Sequence, residues 1–131
     1  MQIMNRPPVG ESLHGETFKL KTPLSEHSLY VTINDIVVDG KRRPFEIFLN
    51  SKNMENFQWM VALTRVLSAV FRSSEDSLFL VEELKSVFDP RGGYFEPGGV
   101  YSPSIVAEIG ECIEKHLAKI AKDGDAESIH H

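Results

Sequence analysis

Residues 28–50 read SLYVTINDIVVDGKRRPFEIFLN, and apolar side chains recur through much of the stretch at every second position. Leu29, Val31 and Ile33 fall on one side of an extended chain, and Tyr30 and Thr32 on the other. This is the two-residue period of a strand with one buried face. Asn34-Asp35 marks a bulge or an early bend, and Asp39-Gly40 is a turn pair, because glycine accepts the positive φ that tight hairpins demand. Lys41, Arg42 and Arg43 lie at or just after that turn. Pro44 opens the next strand, residues 44–50, where a missing N–H harms the ladder least. Phe45, Ile47 and Leu49 alternate there with Glu46 and Phe48. Upstream, residues 16–22 set Phe18 and Leu20 against Lys19 and Lys21, and Pro23 ends the run. Consecutive antiparallel strands make a meander with one face that needs cover.

Helical spacing takes over after Ser51-Lys52-Asn53. From about Met54 to Arg72, Phe57, Met60, Val61, Thr64, Leu67, Val70 and Phe71 recur as one stripe. Trp59, Leu63 and Val66 widen it, which predicts a helix covered on two sides. Residues 77–88 form a second helix with Leu78, Val81, Leu84, Val87 and Phe88 on one face, and Ser73 with Asp76, or Ser77 alone, caps it. Ser102-Pro103 opens the third, a serine cap followed by proline in the first turn. Its inner face carries Ile105, Ile109, Cys112, Ile113, His116, Leu117 and Ile120. The order β-β-β-α-α-α predicts an α+β fold, a three-stranded antiparallel β-meander packed against three α-helices. Residues 1–15 read as a flexible N-terminal arm, 16–121 as the folded domain and 122–131 as a disordered polar tail.

The chain has 131 residues, 41% hydrophobic and 25% charged, as expected for one globular domain. No apolar run reaches the length of a membrane span, and the N-terminus lacks the apolar core of a signal peptide, so a cytoplasmic protein is expected. One cysteine, Cys112, forms no internal disulfide and excludes a four-cysteine zinc site. A net charge of −5 does not favour nucleotides or nucleic acid as partners.

Cys112 and His116 lie four apart on the third helix, a spacing that suits a metal or a cysteine–histidine pair. Zinc would need two further ligands, for which His14 and His27 are the internal candidates. Both positions also continue the apolar stripe, and core packing is the preferred reading. Two Gly-Gly pairs, at 92–93 and 98–99, resemble a phosphate cradle, but the lysine and preceding strand that such a loop uses are missing. Arg42, Arg43 and Arg91 would make an anion patch if the hairpin and the loop over residues 89–101 shared a side. Tyr94 and Tyr101, with Phe95, would then stack on a base or a partner protein, or fold back onto the core. No catalytic set, metal set or cofactor motif emerges.

The runs FKLKTPLSEHSLYVTIN (18–34) and GKRRPFEIFLNSK (40–52), helices ending LSAVFRSS and LKSVFD, a Gly-Gly loop and YSPSIVAEIGECIEKHL (101–117) together resemble the TSCPD domain. That domain is similar to the C-terminal module of adenosylcobalamin-dependent ribonucleotide reductases and also occurs as short free-standing proteins. The name-giving motif Thr-Ser-Cys-Pro-Asp falls on Val100, Tyr101, Ser102, Pro103 and Ser104, so only the proline is retained and Ser102 stands for the cysteine. Residues 52–57 and 88–91, where members often carry further cysteines, have none. The resemblance implies a non-catalytic accessory module without metal or other cofactor. It would bind another copy of itself or a ribonucleotide reductase subunit, with residues 91–101 as the contact surface. The alternative is a nucleotide or nucleic-acid binder using Arg42, Arg43, Arg91, Tyr94, Tyr101 and Ser102.

Overall fold

A computed structural model describes residues 14–21, 28–52, 57–74 and 76–129. Three strands, β1 (His14–Leu20), β2 (Leu29–Val38) and β3 (Lys41–Ser51), form an antiparallel sheet in the order β1-β2-β3. The predicted meander is therefore present. Most of the expected arm, the loop before β2 and residues 54–56 of the expected first helix lie outside the described residues. β2 and β3 are joined by Asp39 at φ 53 and Gly40 at φ 78, two consecutive left-handed residues as a two-residue hairpin requires. Lys41, Arg42 and Arg43 are strand residues rather than part of the turn.

The register shifts between Asn34, which faces Glu46, and Asp35, which faces Pro44. Phe45 is the extra residue, so the bulge lies opposite Asn34-Asp35. β2 keeps its alternation, with Val31, Ile33 and Asp35 all buried on the helix-facing side. β1 follows the same phase: Glu16 pairs with Ile33 and Phe18 with Val31.

The helices are α1 (Phe57–Ser73), α2 (Leu78–Lys85) and α3 (Ile105–Ile129). α1 lies against β3, and α3 touches all three strands. Ser68 of α1 serves the backbone of β3: its Oγ accepts from the Ile47 N–H at 3.1 Å. Leu67 and Phe71 reach the core, but Trp59 and Val66 are exposed, so α1 is covered on one side only among the described residues. α2 packs on α3 and makes no such approach to the sheet, which leaves α3 as the middle layer. Gly110 permits this contact, since a Cβ there would stand 2.9 Å from the Leu84 Cβ.

The start of α2 is held by Asp76, whose Oδ1 accepts from the Leu78 N–H at 3.0 Å, and Ser77 makes no side-chain cap. α3 begins two residues later than its sequence suggests. Ser104, not Ser102, is the cap, accepting from the Ala107 N–H at 3.0 Å. α3 also continues past Lys122, where the composition predicts a disordered tail. Ala, Asp and Glu are tolerated in a helix, and Gly124 costs only about 1 kcal/mol relative to alanine. The core joins Leu20, Val31, Ile33 and Ile47 of the sheet to Leu67, Phe71, Val81, Leu84, Ile109, Cys112 and Ile113. No helix among the described residues is long and apolar enough to cross a membrane.

Candidate functional site

The segment that carries the motif positions is a small ribbon rather than an open loop. β4 (Tyr94–Phe95) pairs antiparallel with β5 (Tyr101–Ser102), and Tyr94 faces Ser102. Gly98 at φ 99 and Gly99 at φ 87 make the turn between them, with the Glu96 N–H donating to the Val100 carbonyl at 2.7 Å. Gly93 allows the ribbon to close, because a Cβ there would come within 2.2 Å of the Ser102 carbonyl oxygen. Ser102 is fully buried and its hydroxyl donates to the Ser104 carbonyl at 2.8 Å. Ser104 in turn donates to the Val87 carbonyl at 2.6 Å, tying the motif to the end of α2. The position of the family's cysteine is therefore spent on internal structure.

The aromatics of the ribbon divide. Tyr94 is buried and its hydroxyl donates to Glu108 Oε2 at 2.5 Å. Burial, then the bond to Glu108, raises the Tyr94 pKa far above its ordinary value. Phe95 and Tyr101 are exposed and meet edge to face with centroids 5.6 Å apart. Glu96 and Glu111 stand beside Glu108. Burial raises the pKa of both, the Glu108 charge adds to the rise at Glu96, and the proximity of Glu96 adds to the rise at Glu111. Cys112 lies under this cluster, and burial first, then the Glu108 charge, pushes its thiol up to about 12. A thiol in that state is a poor nucleophile and a poor metal ligand. Among the described residues, no group of three or more histidine, cysteine, aspartate or glutamate side chains is arranged to hold a metal.

A second polar centre joins α3 to the sheet. His116 is 1% exposed and lies between two carboxylates, with Nδ1 at 2.6 Å from Glu16 Oε1 and Nε2 at 2.7 Å from Asp35 Oδ1. A carboxylate on each side suits an imidazolium, which donates from both ring nitrogens. Burial alone would lower its pKa; the hydrogen bonds to Asp35 and Glu16, with their charges, outweigh burial and raise it. Burial likewise works against ionised Glu16, but His116 and Lys119 prevail and lower its pKa. Arg42 closes the other end, donating from Nε to Asp35 Oδ2 at 2.7 Å and lying 3.7 Å from Asp123. The chain Lys119–Glu16–His116–Asp35–Arg42 holds its proton between internal carboxylates, which suits a structural clamp rather than an acid–base group.

Among the residues singled out from sequence, Tyr94, Tyr101 and Ser102 share the ribbon, while Arg42 belongs to the histidine clamp and Arg43 follows it in β3. Arg91 is paired with Asp89 at 3.1 Å, and that bond holds the Asp89 carboxyl below the usual range. Arg42 and Arg91 are thus each paired with an acid outside the ribbon. Glu16 and Asp35 did not stand out in the sequence. Their signal was phase: each occupies a buried-face position of its strand, in step with Phe18 and Leu20 or with Val31 and Ile33.

Comparison with protein families matches the TSCPD domain over residues 5–117, which spans the sheet, α1, α2, the ribbon and the first half of α3. No curated protein and no solved structure gives a significant match. With the meander, α1, α2, the first half of α3 and the motif positions inside the matched span, the chain belongs to the TSCPD domain family.

Proposed function

We propose that this chain is a non-catalytic accessory module that acts by protein–protein contact in the cytoplasm, with a ribonucleotide reductase subunit as partner and deoxyribonucleotide synthesis as its context. Family membership supports the context. The observation that supports contact is the apolar surface around the motif. Phe88 is 71% and Phe95 69% exposed, and Val87, which Ser104 ties to the motif, is exposed as well, as are Val100 and Tyr101 of the ribbon. Large apolar side chains gathered on a small domain mark an interaction surface more often than chance. The test is size-exclusion chromatography with light scattering on the chain mixed with an adenosylcobalamin-dependent reductase from the same cell. A complex is expected, and Phe88→Ser with Phe95→Ser should abolish it. Absence of any complex at high micromolar concentration would refute this reading.

A second reading, self-association, is favoured by Trp59 and Val66, which leave one side of α1 uncovered. A scattering mass of two chains that falls to one on Trp59→Ser and Val66→Ser would support it.

A further inference from the structure

We propose that the solvent-facing side of the meander binds single-stranded nucleic acid, with Tyr30 and Phe48 as stacking platforms and Lys19, Lys21 and Lys52 as phosphate contacts. This does not rest on the reading given above and uses the opposite side of the sheet from the helices.

The strand register builds the surface row by row. Lys19 of β1 pairs with Tyr30 of β2, which pairs with Asn50 of β3. The next row is Thr17, Thr32 and Phe48, with the two threonine hydroxyls 2.9 Å apart. Alternation carries the same side past the strand ends to Lys21, Ser28 and Lys52. Burial agrees: Leu20, Val31 and Ile47 on the other side are buried, whereas Lys19, Lys21, Asn50 and Lys52 are exposed. Tyr30 is 40% and Phe48 51% exposed, so both rings present area to solvent on a sheet face that no helix among the described residues covers.

Tyr30 and Phe48 are diagonal neighbours on adjacent strands, about 7–8 Å apart by the geometry of antiparallel pairs. That spacing lets consecutive bases of an extended strand each lie on a ring, and stacking of this kind tolerates any sequence. A duplex hides its base faces, so the platform selects single strands. Charge is complementary. The three rows hold three lysines and no acidic residue, and none of the lysines is ion-paired among the described residues. The first acid on this side is Glu46, one row beyond, which accepts from Asn34 Nδ2 at 3.0 Å. The net charge of −5 is thus an average over a surface with one locally basic face. Asn50, Thr17, Thr32 and Ser28 add neutral hydrogen-bonding groups between the lysines.

Fluorescence anisotropy with a short fluorescein-labelled single strand of mixed sequence, as DNA and as RNA, tests this at low and moderate salt. The full chain should bind at least one of them, more weakly as salt rises. Tyr30→Ala with Phe48→Ala should weaken binding about tenfold or more. Lys19→Gln, Lys21→Gln and Lys52→Gln together should flatten the salt dependence. All these positions are solvent-facing, and an unchanged thermal midpoint confirms that each variant is folded. Amide NMR shifts on titrating the unmodified chain give a readout without any substitution, and they should concentrate in the three rows. No binding, equal binding to duplex and single strand, shifts confined to the ribbon, or affinity unchanged in the folded variants would each overturn the proposal.

Discussion

His116 has the highest stakes of any single side chain here, because its loss strands two carboxylates. Asp35 has a side chain only 1% exposed and would keep its bond to Arg42 but lose its partner in the core. Breaking a buried pair from one side costs on the order of 3–5 kcal/mol, and His116→Ala should lower stability by about that much in urea denaturation. His116→Gln donates to one carboxylate and should cost less. The clamp also sets a pH dependence. The folded His116 pKa lies above the ordinary histidine value of 6.5, so its contribution is full below that value and is lost as pH rises through the folded one. Glu16 has the opposite sign: its folded pKa lies below 4.5, and its contribution is lost as pH falls through it. Urea midpoints should therefore decline on the alkaline side of 6.5. Glu96 and Glu111, both raised, also favour the acidic side, so the comparison with His116→Gln isolates the histidine. An identical decline in that variant would remove His116 as the cause. Cys112 makes a separate prediction. It is buried, with its thiol pushed up to about 12, so iodoacetamide at neutral pH should leave it unmodified until denaturant is added.

At the level of strands and helices, the alternation of residues 28–50 was legible because each strand has one wet and one dry face, and the hairpin was legible because Asp39-Gly40 has few other uses. The ribbon was not. Its strands are two residues long, too short for a period to show, and Ser102 looks like a helix cap until its pairing with Tyr94 is known. The clamp was hidden for another reason. Glu16, Asp35 and His116 lie far apart in sequence and meet only when β1, β2 and α3 are packed. Two contacts between elements yield measurable consequences. Ser68→Ala would leave the buried Ile47 N–H without its acceptor, at a cost of about 1–3 kcal/mol, and a calorimetric midpoint equal to the parent's would contradict it. Ser104→Ala removes the α3 cap and the tie to Val87 together, and about 1–2 kcal/mol of destabilisation is expected.

For the molecule as a whole, the layering implies unequal stability. β2 and β3 are bonded along most of their length, and α3 is fixed to them by core residues and by the histidine clamp. α2 joins this body through α3, with Val81 and Leu84 inward and Leu78 and Phe79 in solvent. The ribbon is anchored by Tyr94, Ser102 and Ser104 and has a two-residue ladder. Cooperative units open in order of how much buried surface holds them, so α2 and the ribbon should open before the sheet does. Native-state hydrogen exchange should show α2 amides exchanging at a lower opening free energy than those of β2, β3 and the middle of α3. Gly110→Leu sharpens the test, because even its Cβ would stand 2.9 Å from the Leu84 Cβ and 3.2 Å from Lys85, both on α2. It should release α2 protection further while β2 and β3 keep theirs. Uniform loss across the molecule would mean that α2 and the sheet form one cooperative unit, and the layered account of stability would then be wrong.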